Sequence, residues 1–331
     1  MSTGLRLGTR RSPLALTQSR SIAAGLESGG AGPVELIEIT TLGDVSGQPL
    51  TQLGGTGVFV AALRDAVSAG TVDFAVHSLK DLPVAPAPGL VLAAIAVRED
   101  PRDVLIARDG LTLASLPAGA RIGTGSPRRA VQLLAYRPDI EIVAVRGNVG
   151  TRIAAVPGEL DGVVLARAGL ARLGRLDVVT EVLDATVMLP APGQGALAVE
   201  CRADRADLVA ILAQLDDPAT RVAVTAERAL LSRTEAGCSA PVGALAEVIT
   251  TDPDSPQILL RAAVGQLAGT GHTVGHAVGH TLARTVGHTV GHTVSRLSII
   301  GPLGDPVGLG YALADRFLLE GVDGSWGVPV R

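Results

Sequence analysis

The sequence predicts an α/β protein with a small α+β domain at its C-terminal end. The first two-thirds of the 331 residues alternate short apolar segments with amphipathic ones. This alternation is typical of strands and helices that form a largely parallel sheet covered on both faces. The pattern changes at Asp217, beyond which one long helix pattern precedes several strand-like segments. The chain is 47% hydrophobic but only 2% aromatic, so its cores must be aliphatic.

Two strand–helix repeats and a third strand make up the N-terminal part. Ser12 and Pro13 are a favourable N-cap and first residue for the first helix. Gly70 ends the second helix, because helices commonly stop at a glycine. Pro83, Pro86 and Pro88 then exclude regular structure after the third strand. The predicted elements are a strand at residues 5–8, a helix at 13–27, a strand at 34–40, a helix at 58–68 and a strand at 72–77.

The same pattern restarts after Pro101 and continues to about Cys201. Its predicted elements are a strand ending at residues 121–123, a helix at 127–136, a strand at 140–145, a helix opened by residues 147–150, a strand at 163–166, a helix at 168–173 and a strand at 196–201. Beyond Asp217 we predict a helix at residues 218–233, strands at 242–250, 258–265 and 294–300, and a final helix at 305–320.

These elements group into three predicted domains. Residues 1–98 with 197–215 form the first α/β domain, and residues 102–192 form the second. Residues 217–331 form the α+β domain, with a histidine-rich insertion at 271–293. Ligands of open α/β sheets bind beyond the carboxyl ends of the strands, and the loops richest in polar residues lie there.

Composition excludes several classes of protein. A net charge of −4 argues against a nucleic-acid-binding surface. Two cysteines do not make a disulfide framework, the N-terminus lacks the long apolar run of a signal peptide, and no stretch of about 18 apolar residues could span a membrane. We therefore expect a cytoplasmic protein without a membrane or nucleic-acid partner. We also expect a monomer that acts on a small molecule, although composition does not bear on either point. Lys80 is the only lysine among the 28 basic residues, which marks its position for attention.

Arginines recur beside glycine, serine and threonine where predicted strands turn into helices. Backbone N–H groups at a helix start favour anions, and guanidinium groups bind carboxylates bidentately. The pattern predicts several anion sites that converge on one cleft, and thus a ligand with many carboxylates or phosphates. A single such pair could equally be a solvated surface charge. The recurring strings are Arg10-Arg11-Ser12, Ser126-Pro127-Arg128-Arg129, Arg146-Gly147-Asn148 and Thr151-Arg152.

Two further residues have the chemistry of an active site. Asp81 follows a buried strand and lies beside Lys80, so its carboxylate could move protons or stabilise a cation, or could simply belong to a turn. Cys238 lies in a loop of small residues that leaves a thiol accessible, as a nucleophile requires. Cys201 ends an apolar run and is predicted to be a buried core residue.

A low-complexity tract, GHTVGHAVGHTLARTVGHTVGH, lies within residues 271–293. Histidines four residues apart would share one face of a helix and could bind metal. Glycine, threonine or both in every repeat oppose a stable helix, which favours a loop insertion without a role. We assign no metal site. If the tract did bind metal independently, deleting residues 271–293 would abolish metal binding and spare activity.

Taken together, these segments resemble the porphobilinogen deaminase family. Several unusual strings occur in the same order as in that family, over residues 5–265 and more weakly after the histidine tract. They are TRRSPLAL at residues 9–16, AVHSLKDLP at 75–83, REDPRD at 98–103, GTGSPRR at 123–129, RGNVGTR at 146–152, PGQGA at 192–196, AERA at 226–229 and the cysteine loop AGCSAP at 236–241.

The resemblance implies two periplasmic-binding-protein-like domains, a third domain that carries a cofactor, and hydroxymethylbilane synthase activity. The family condenses four porphobilinogen molecules head to tail on a dipyrromethane primer held by a thioether, which implies attachment at Cys238. It implies a catalytic role for Asp81 together with Lys80. The arginines implied to bind the acetate and propionate arms are Arg10, Arg128, Arg129, Arg146, Arg152 and Arg172, and the polar residues implied to line the same cleft are Ser12, Ser78, Thr124, Ser126 and Gln194.

The sequence departs from the family pattern at a few positions. Thr56 and Gln52 stand where basic residues are common, which bears on how that loop closes over an anionic substrate. Pro127 and Ala236 replace an aliphatic residue and a glycine, respectively. The alternative to the enzyme is a non-catalytic anion-binding protein with the same cleft, which would need neither Asp81 nor a reactive cysteine. Such a protein would normally carry an export signal.

Overall fold

A computed structural model describes residues 4–40, 57–156, 158–234, 240–250, 255–267, 285–289 and 292–319. The chain divides into two compact units. The first comprises Met1–Asp100, Ala171–Gly174 and Gly193–Arg221, and the second comprises Pro101–Leu170, Arg175–Pro192 and Val222–Arg331. The three-domain division with its boundaries remains a prediction.

Fourteen strands and eight α-helices lie in the described part of the chain. The strands are β1 Leu5–Thr9, β2 Val34–Glu38, β3 Phe74–Ser78, β4 Leu90–Ile95, β5 Asp103–Ala107, β6 Arg121–Gly123, β7 Glu141–Val143, β8 Gly162–Ala166, β9 Glu181–Val182, β10 Leu197–Arg202, β11 Val242–Ile249, β12 Gln257–Leu267, β13 Thr285–Thr289 and β14 His292–Pro302. The helices are α1 Pro13–Ser28, α2 Gly57–Ser68, α3 Pro127–Tyr136, α4 Val149–Ala154, α5 Arg167–Arg172, α6 Ala206–Leu212, α7 Pro218–Arg233 and α8 Pro306–Leu319.

The first unit is built on a five-stranded sheet in the order β2-β1-β3-β10-β4. β1 is parallel to β2 and β3, whereas β10 is antiparallel to both β3 and β4. Four strands therefore run in one direction and β10 runs against them. Ile22 of α1 packs with Leu7, Phe74 and Val199 in an aliphatic-rich core on one face of the sheet.

The second unit contains a sheet of the same design, in the order β7-β6-β8-β5-β9. β6 is parallel to β7 and β8, and β5 is antiparallel to β8 and β9. Leu133 of α3 packs with Leu105, Ile122 and Val164 of the sheet. In both units the reversed strand is the first strand after the chain enters that unit, at Pro101 for β5 and at Gly193 for β10.

An antiparallel sheet in the order β11-β12-β14-β13 completes the second unit. One face packs against α7 and α8, with Leu230 and Phe317 in contact with Ile258 and Leu260. The opposite face packs on α3, where Val131 joins a cluster with Ala263 and other sheet residues. The α/β class with a small α+β C-terminal part is therefore confirmed.

Two sequence-based expectations need correction. β4 lies after the prolines and before Asp100, where no strand was predicted, because the apolar run there has enough residues for a buried strand. Part of the histidine tract is not a loop: β13 pairs antiparallel with β14 in the register Thr285↔Arg296 to Thr289↔His292. A helix face of histidines therefore does not exist in β13, and residues 271–284, 290 and 291 lie outside the described residues.

Within the described ranges, the helices are all too short or too polar to cross a membrane.

Candidate active site

The first unit presents five of the predicted residues at one edge of its sheet. β1 and β3 are parallel neighbours, so their carboxyl ends meet at this edge. Arg10 and Ser12 follow β1, and Ser12 Oγ accepts a hydrogen bond of 3.3 Å from Ala15 N as the N-cap of α1. The other three lie at the end of β3 and in the 3₁₀ turn after it: Ser78 is the last residue of β3, and Lys80 and Asp81 belong to the turn.

Buried amide side chains fix two of these residues. Gln18 of α1 is buried, and its Nε2 donates to Ser78 Oγ at 3.0 Å. Lys80 Nζ donates to Gln194 Oε1 at 3.2 Å, and Gln194 is also buried. These hydrogen bonds hold Ser78 and Lys80 in place. Breaking either bond would cost free energy, because it would leave a polar atom of buried Gln18 or Gln194 without that partner.

Residues beside two of the points at which the chain passes between the units, Glu99 and Gly195, are hydrogen-bonded to each other. The carbonyl oxygen of Gly195 accepts hydrogen bonds from Glu99 N at 3.2 Å and from Arg172 Nη2 at 2.6 Å. Arg98 Nε donates to the carbonyl of Gln194 at 2.8 Å. Burial lowers the pKa of Arg172 although the charge of Glu99 opposes this, and the guanidinium remains a cation near neutral pH.

The second unit places its predicted residues at the corresponding edge of its own sheet. Thr124 and Ser126 follow β6, and Thr124 Oγ1 accepts from Ser126 N at 3.2 Å. Ser126 is the N-cap of α3, but its side chain makes no capping hydrogen bond. Asn148, by contrast, caps α4 through a bond of 2.9 Å from Thr151 N. The Ser126 hydroxyl therefore makes no hydrogen bond to the first turn of α3.

Two arginines belong to the loop and helix after β7. Arg146 is exposed, whereas Arg152 is half-buried and its Nε donates to the carbonyl of Gly147 at 2.9 Å. Burial lowers the pKa of Arg152, and the neighbouring charge of Arg129 lowers it further. A cation that is held close to another cation would be stabilised by an anionic ligand.

Arg128 and Arg129, in the first turn of α3, are almost fully buried and share one carboxylate. Arg128 Nη1 lies 2.7 Å from Asp103 Oδ2, and Arg129 Nη2 lies 2.9 Å from Asp103 Oδ1. Burial would raise the pKa of Asp103, but the charges and hydrogen bonds of both arginines bring it far below its usual range. Burial lowers the pKa of Arg128 itself, which Asp103 opposes.

The predicted residues thus fall into two described groups, one in each unit. The first unit holds Arg10, Ser12, Ser78, Lys80, Asp81, Arg172 and Gln194, and the second holds Thr124, Ser126, Arg128, Arg129, Arg146 and Arg152. Cys238, Gln52 and Thr56 lie outside the described residues.

Two protein-family models match the chain. Residues 5–210 match the dipyrromethane cofactor binding domain of porphobilinogen deaminase, and residues 221–296 match its C-terminal domain. The chain belongs to the porphobilinogen deaminase family. Membership makes it a transferase that carries a dipyrromethane cofactor, and it favours the enzyme over a non-catalytic anion-binding protein.

Individual relatives agree with this assignment. The chain is 61% identical to porphobilinogen deaminase 1 of Streptomyces coelicolor, over 80% of this chain and 85% of the relative. It is 60% identical to the porphobilinogen deaminase of Thermobifida fusca, over 80% and 82% of the two chains. For the porphobilinogen deaminase of Mycobacterium tuberculosis the identity is 56%, over 80% and 87%.

Among solved structures, the chain is similar to a periplasmic substrate-binding protein of an ABC transporter from Coxiella burnetii. The two are 15% identical with a TM-score of 0.42, over 66% of this chain and 94% of the other.

In this porphobilinogen deaminase family member, sequence analysis missed the acidic residues that hold the cations. Asp103 lies within the REDPRD string but received no role, although an aspartate that opens an apolar strand is a sign of a buried ion pair. Glu200 in β10 is likewise buried and binds Arg64 through Nε at 3.0 Å and Nη2 at 2.9 Å. Its Oε2 lies 3.4 Å from His77 Nε2.

The prediction for Cys201 is confirmed, because its side chain is fully buried in the core of the first unit. Burial raises the pKa of the Cys201 thiol to about 11. The thiolate is the reactive form of cysteine, so Cys201 is not suited to nucleophilic chemistry near neutral pH.

We therefore expect Cys201 to resist alkylation in the native protein. The raised pKa lowers the thiolate fraction at pH 8 by about a hundredfold relative to an ordinary cysteine, and burial slows access further. Iodoacetamide labelling followed by peptide mass analysis would measure this, with urea-unfolded protein as the reference. Equal labelling rates of Cys201 in the native and unfolded protein would contradict its burial.

Proposed function

We propose that the chain is a hydroxymethylbilane synthase that condenses four porphobilinogen molecules head to tail, releases one ammonia for each, and frees the linear product with water. The observation that carries the proposal is the concentration of cationic and polar side chains at the carboxyl edges of both α/β sheets, in a chain of this family. A growing chain of pyrroles requires such a surface, because every unit bears two carboxylates.

The cations of the second unit fit a polycarboxylate. Arg128, Arg129 and Arg152 are buried or half-buried, and Asp103 is the carboxylate bound to the first two. Positive charge therefore exceeds negative charge in this group, and buried charge is costly unless it is neutralised. Carboxylates of a bound dipyrromethane would supply the missing negative charge.

The side chains of the first unit suit the chemistry at the reacting pyrrole. Loss of ammonia from porphobilinogen leaves an electron-poor methylene-pyrrole cation. We assign Asp81 to the pyrrole N–H and to this cation, since a carboxylate placed where positive charge develops stabilises the transition state. We assign Lys80 to a carboxylate arm or the departing group, with Gln194 holding its Nζ in place.

The remaining roles follow the same logic. Arg10, Arg146 and Arg172 would bind further acetate and propionate arms, and Ser12, Ser78, Thr124 and Ser126 would donate hydrogen bonds to them. The dipyrromethane group supplies the nucleophilic end to which new units are added, and we assign its thioether to Cys238. We further propose that the protein is a cytoplasmic monomer that needs neither a membrane nor a nucleic acid.

The intact mass of the denatured protein, purified from the cells that produce it, tests the assignment. We expect a mass excess of two condensed porphobilinogen units in the native chain and in Cys201→Ser, and no excess in Cys238→Ser. If the native chain shows no excess even after incubation with porphobilinogen, the deaminase function is wrong. An excess that survives in Cys238→Ser would move the attachment to another residue.

A further inference from the structure

Asp103 occupies an unusual place in the second unit. It is the first residue of β5, two residues after the chain enters this unit at Pro101, and its exposed fraction is 0%. A carboxylate at such a site must be paired, because an isolated buried charge costs several kcal/mol. Its two oxygens bind one arginine each, so that it connects the start of β5 with the first turn of α3.

Arg129 is held only in part by the protein. Its exposed fraction is 6%, its Nη2 donates to Asp103, and its Nη1 donates to the carbonyl of Val164 at 3.0 Å. A guanidinium has five N–H groups. Among the residues the structure describes, no atom accepts a hydrogen bond from Arg129 Nε, which is buried. The two bonds therefore fix the plane of the guanidinium while leaving it short of acceptors.

Arg128 is anchored differently. Its Nη1 donates both to Asp103 and, at 2.6 Å, to the carbonyl of Leu189. The same carbonyl accepts from Gln132 Nε2 at 3.0 Å, and Leu189 N donates to Gln132 Oε1 at 2.9 Å. Arg128 thus ties Asp103 to a hydrogen-bonded cluster on α3 and the segment before β10. The Asp103 carboxylate therefore binds Arg128, which is anchored to the carbonyl of Leu189, and Arg129, whose Nε has no acceptor among the described residues.

We propose that Asp103 is a positioning residue, which holds the guanidinium of Arg129 in the orientation that binds a carboxylate arm of the pyrrole ligand. The inference rests on the proposed function, because it takes Arg129 as a ligand contact. Asp103 itself touches no ligand. Its single negative charge is shared between two arginines, so it orients Arg129 without neutralising the group, whereas Arg128 keeps its own anchor at the carbonyl of Leu189.

A double-mutant cycle tests the coupling. Asp103→Asn keeps the shape of the side chain and removes its charge, and Arg129→Gln removes the guanidinium. We expect each single variant to raise the KM for porphobilinogen or to lower the primer content in the mass spectrum by about tenfold, with a smaller effect on kcat. If Asp103 acts through Arg129, the double variant should match Arg129→Gln alone, since the positioned group is already gone.

Two matched controls separate positioning from general stability. Asp139→Asn breaks the ion pair between Asp139 and Arg137, at the other end of α3, and should leave KM and primer content unchanged. Asp103→Asn combined with Arg152→Gln should show multiplied effects, because Arg152 has no hydrogen bond to Asp103 among the contacts described. If Asp103→Asn does not fold, Asp103→Glu keeps the charge at a shifted position, and its KM should rise in a folded protein.

The outcomes are distinct. Multiplied effects of Asp103→Asn and Arg129→Gln would overturn the positioning role while leaving the deaminase function intact. An unchanged KM in a folded Asp103→Asn or Asp103→Glu protein would do the same. An unmodified chain that lacks both primer and activity would instead refute the proposed function on which the inference rests.

Discussion

Replacing Asp81 by asparagine is expected to lower kcat by about 10²–10⁴-fold, the range typical of a lost acid–base or electrostatic group. Asparagine keeps the size of the side chain and its capacity to hydrogen-bond. It lacks the negative charge that would stabilise the methylene-pyrrole cation. Because Asp81 is half-buried in a 3₁₀ turn whose Leu79 anchors it in the core, the fold should survive the change. Steady-state ammonia release from porphobilinogen would measure the loss.

The second unit offers a matched control for this substitution. Asp109 also lies in a 3₁₀ turn directly after a strand, at Arg108–Gly110, but it is exposed and has no assigned role. Its φ of 56° lies in the left-handed region, which asparagine tolerates well. Asp109→Asn should therefore retain native kcat. Equal losses in the two variants, or native kcat in Asp81→Asn, would remove Asp81 from the mechanism.

The sequence predicted the parts of the site that depend on local signals. Ser12, with Pro13 after it, marked the start of α1, and the structure places its Oγ at the predicted capping position. The polar loops after β1, β3 and β6 lie at carboxyl ends of parallel strands, as the alternation of strands and helices implied. Such signals involve neighbours in the chain, so one sequence is enough to recognise them.

What the sequence could not predict depends on partners far along the chain. β5 and β10 run against the other strands of their sheets, which no local pattern reveals. The carboxylate of Asp103 meets arginines 25 and 26 residues away, and Glu200 meets Arg64 at a separation of 136 residues. Charge pairs of this kind became visible only when the fold brought them together.

Replacing Gly195 by alanine is expected to destabilise the protein by about 2–5 kcal/mol, the sum of a left-handed backbone penalty and an overpacking penalty. Gly195 has a φ of 92°, and an added Cβ would clash with the carbonyl oxygen of Glu99. Its own carbonyl accepts hydrogen bonds from Glu99 and Arg172, and these bonds join the three chain segments that make up the first unit. The added Cβ therefore clashes at the point where these segments are hydrogen-bonded. Because the clashing atom is a backbone oxygen, the backbone must move to remove the clash, and a change of side-chain rotamer is not enough.

Gly89→Ala separates the two penalties. Gly89 has a φ of 75° but nothing within 4 Å of an added Cβ, so alanine there should cost only the backbone penalty of about 1–2 kcal/mol. Urea unfolding of the three proteins would give the difference between the variants, which isolates the clash with Glu99. If that pairing also orients Arg172 toward a carboxylate arm, folded Gly195→Ala protein should show a raised KM for porphobilinogen, whereas Gly89→Ala should not. Equal free energies of unfolding in the two variants would mean that the backbone around Glu99 and Gly195 moves to relieve the clash at no cost. Their hydrogen bond would then not constrain Arg172.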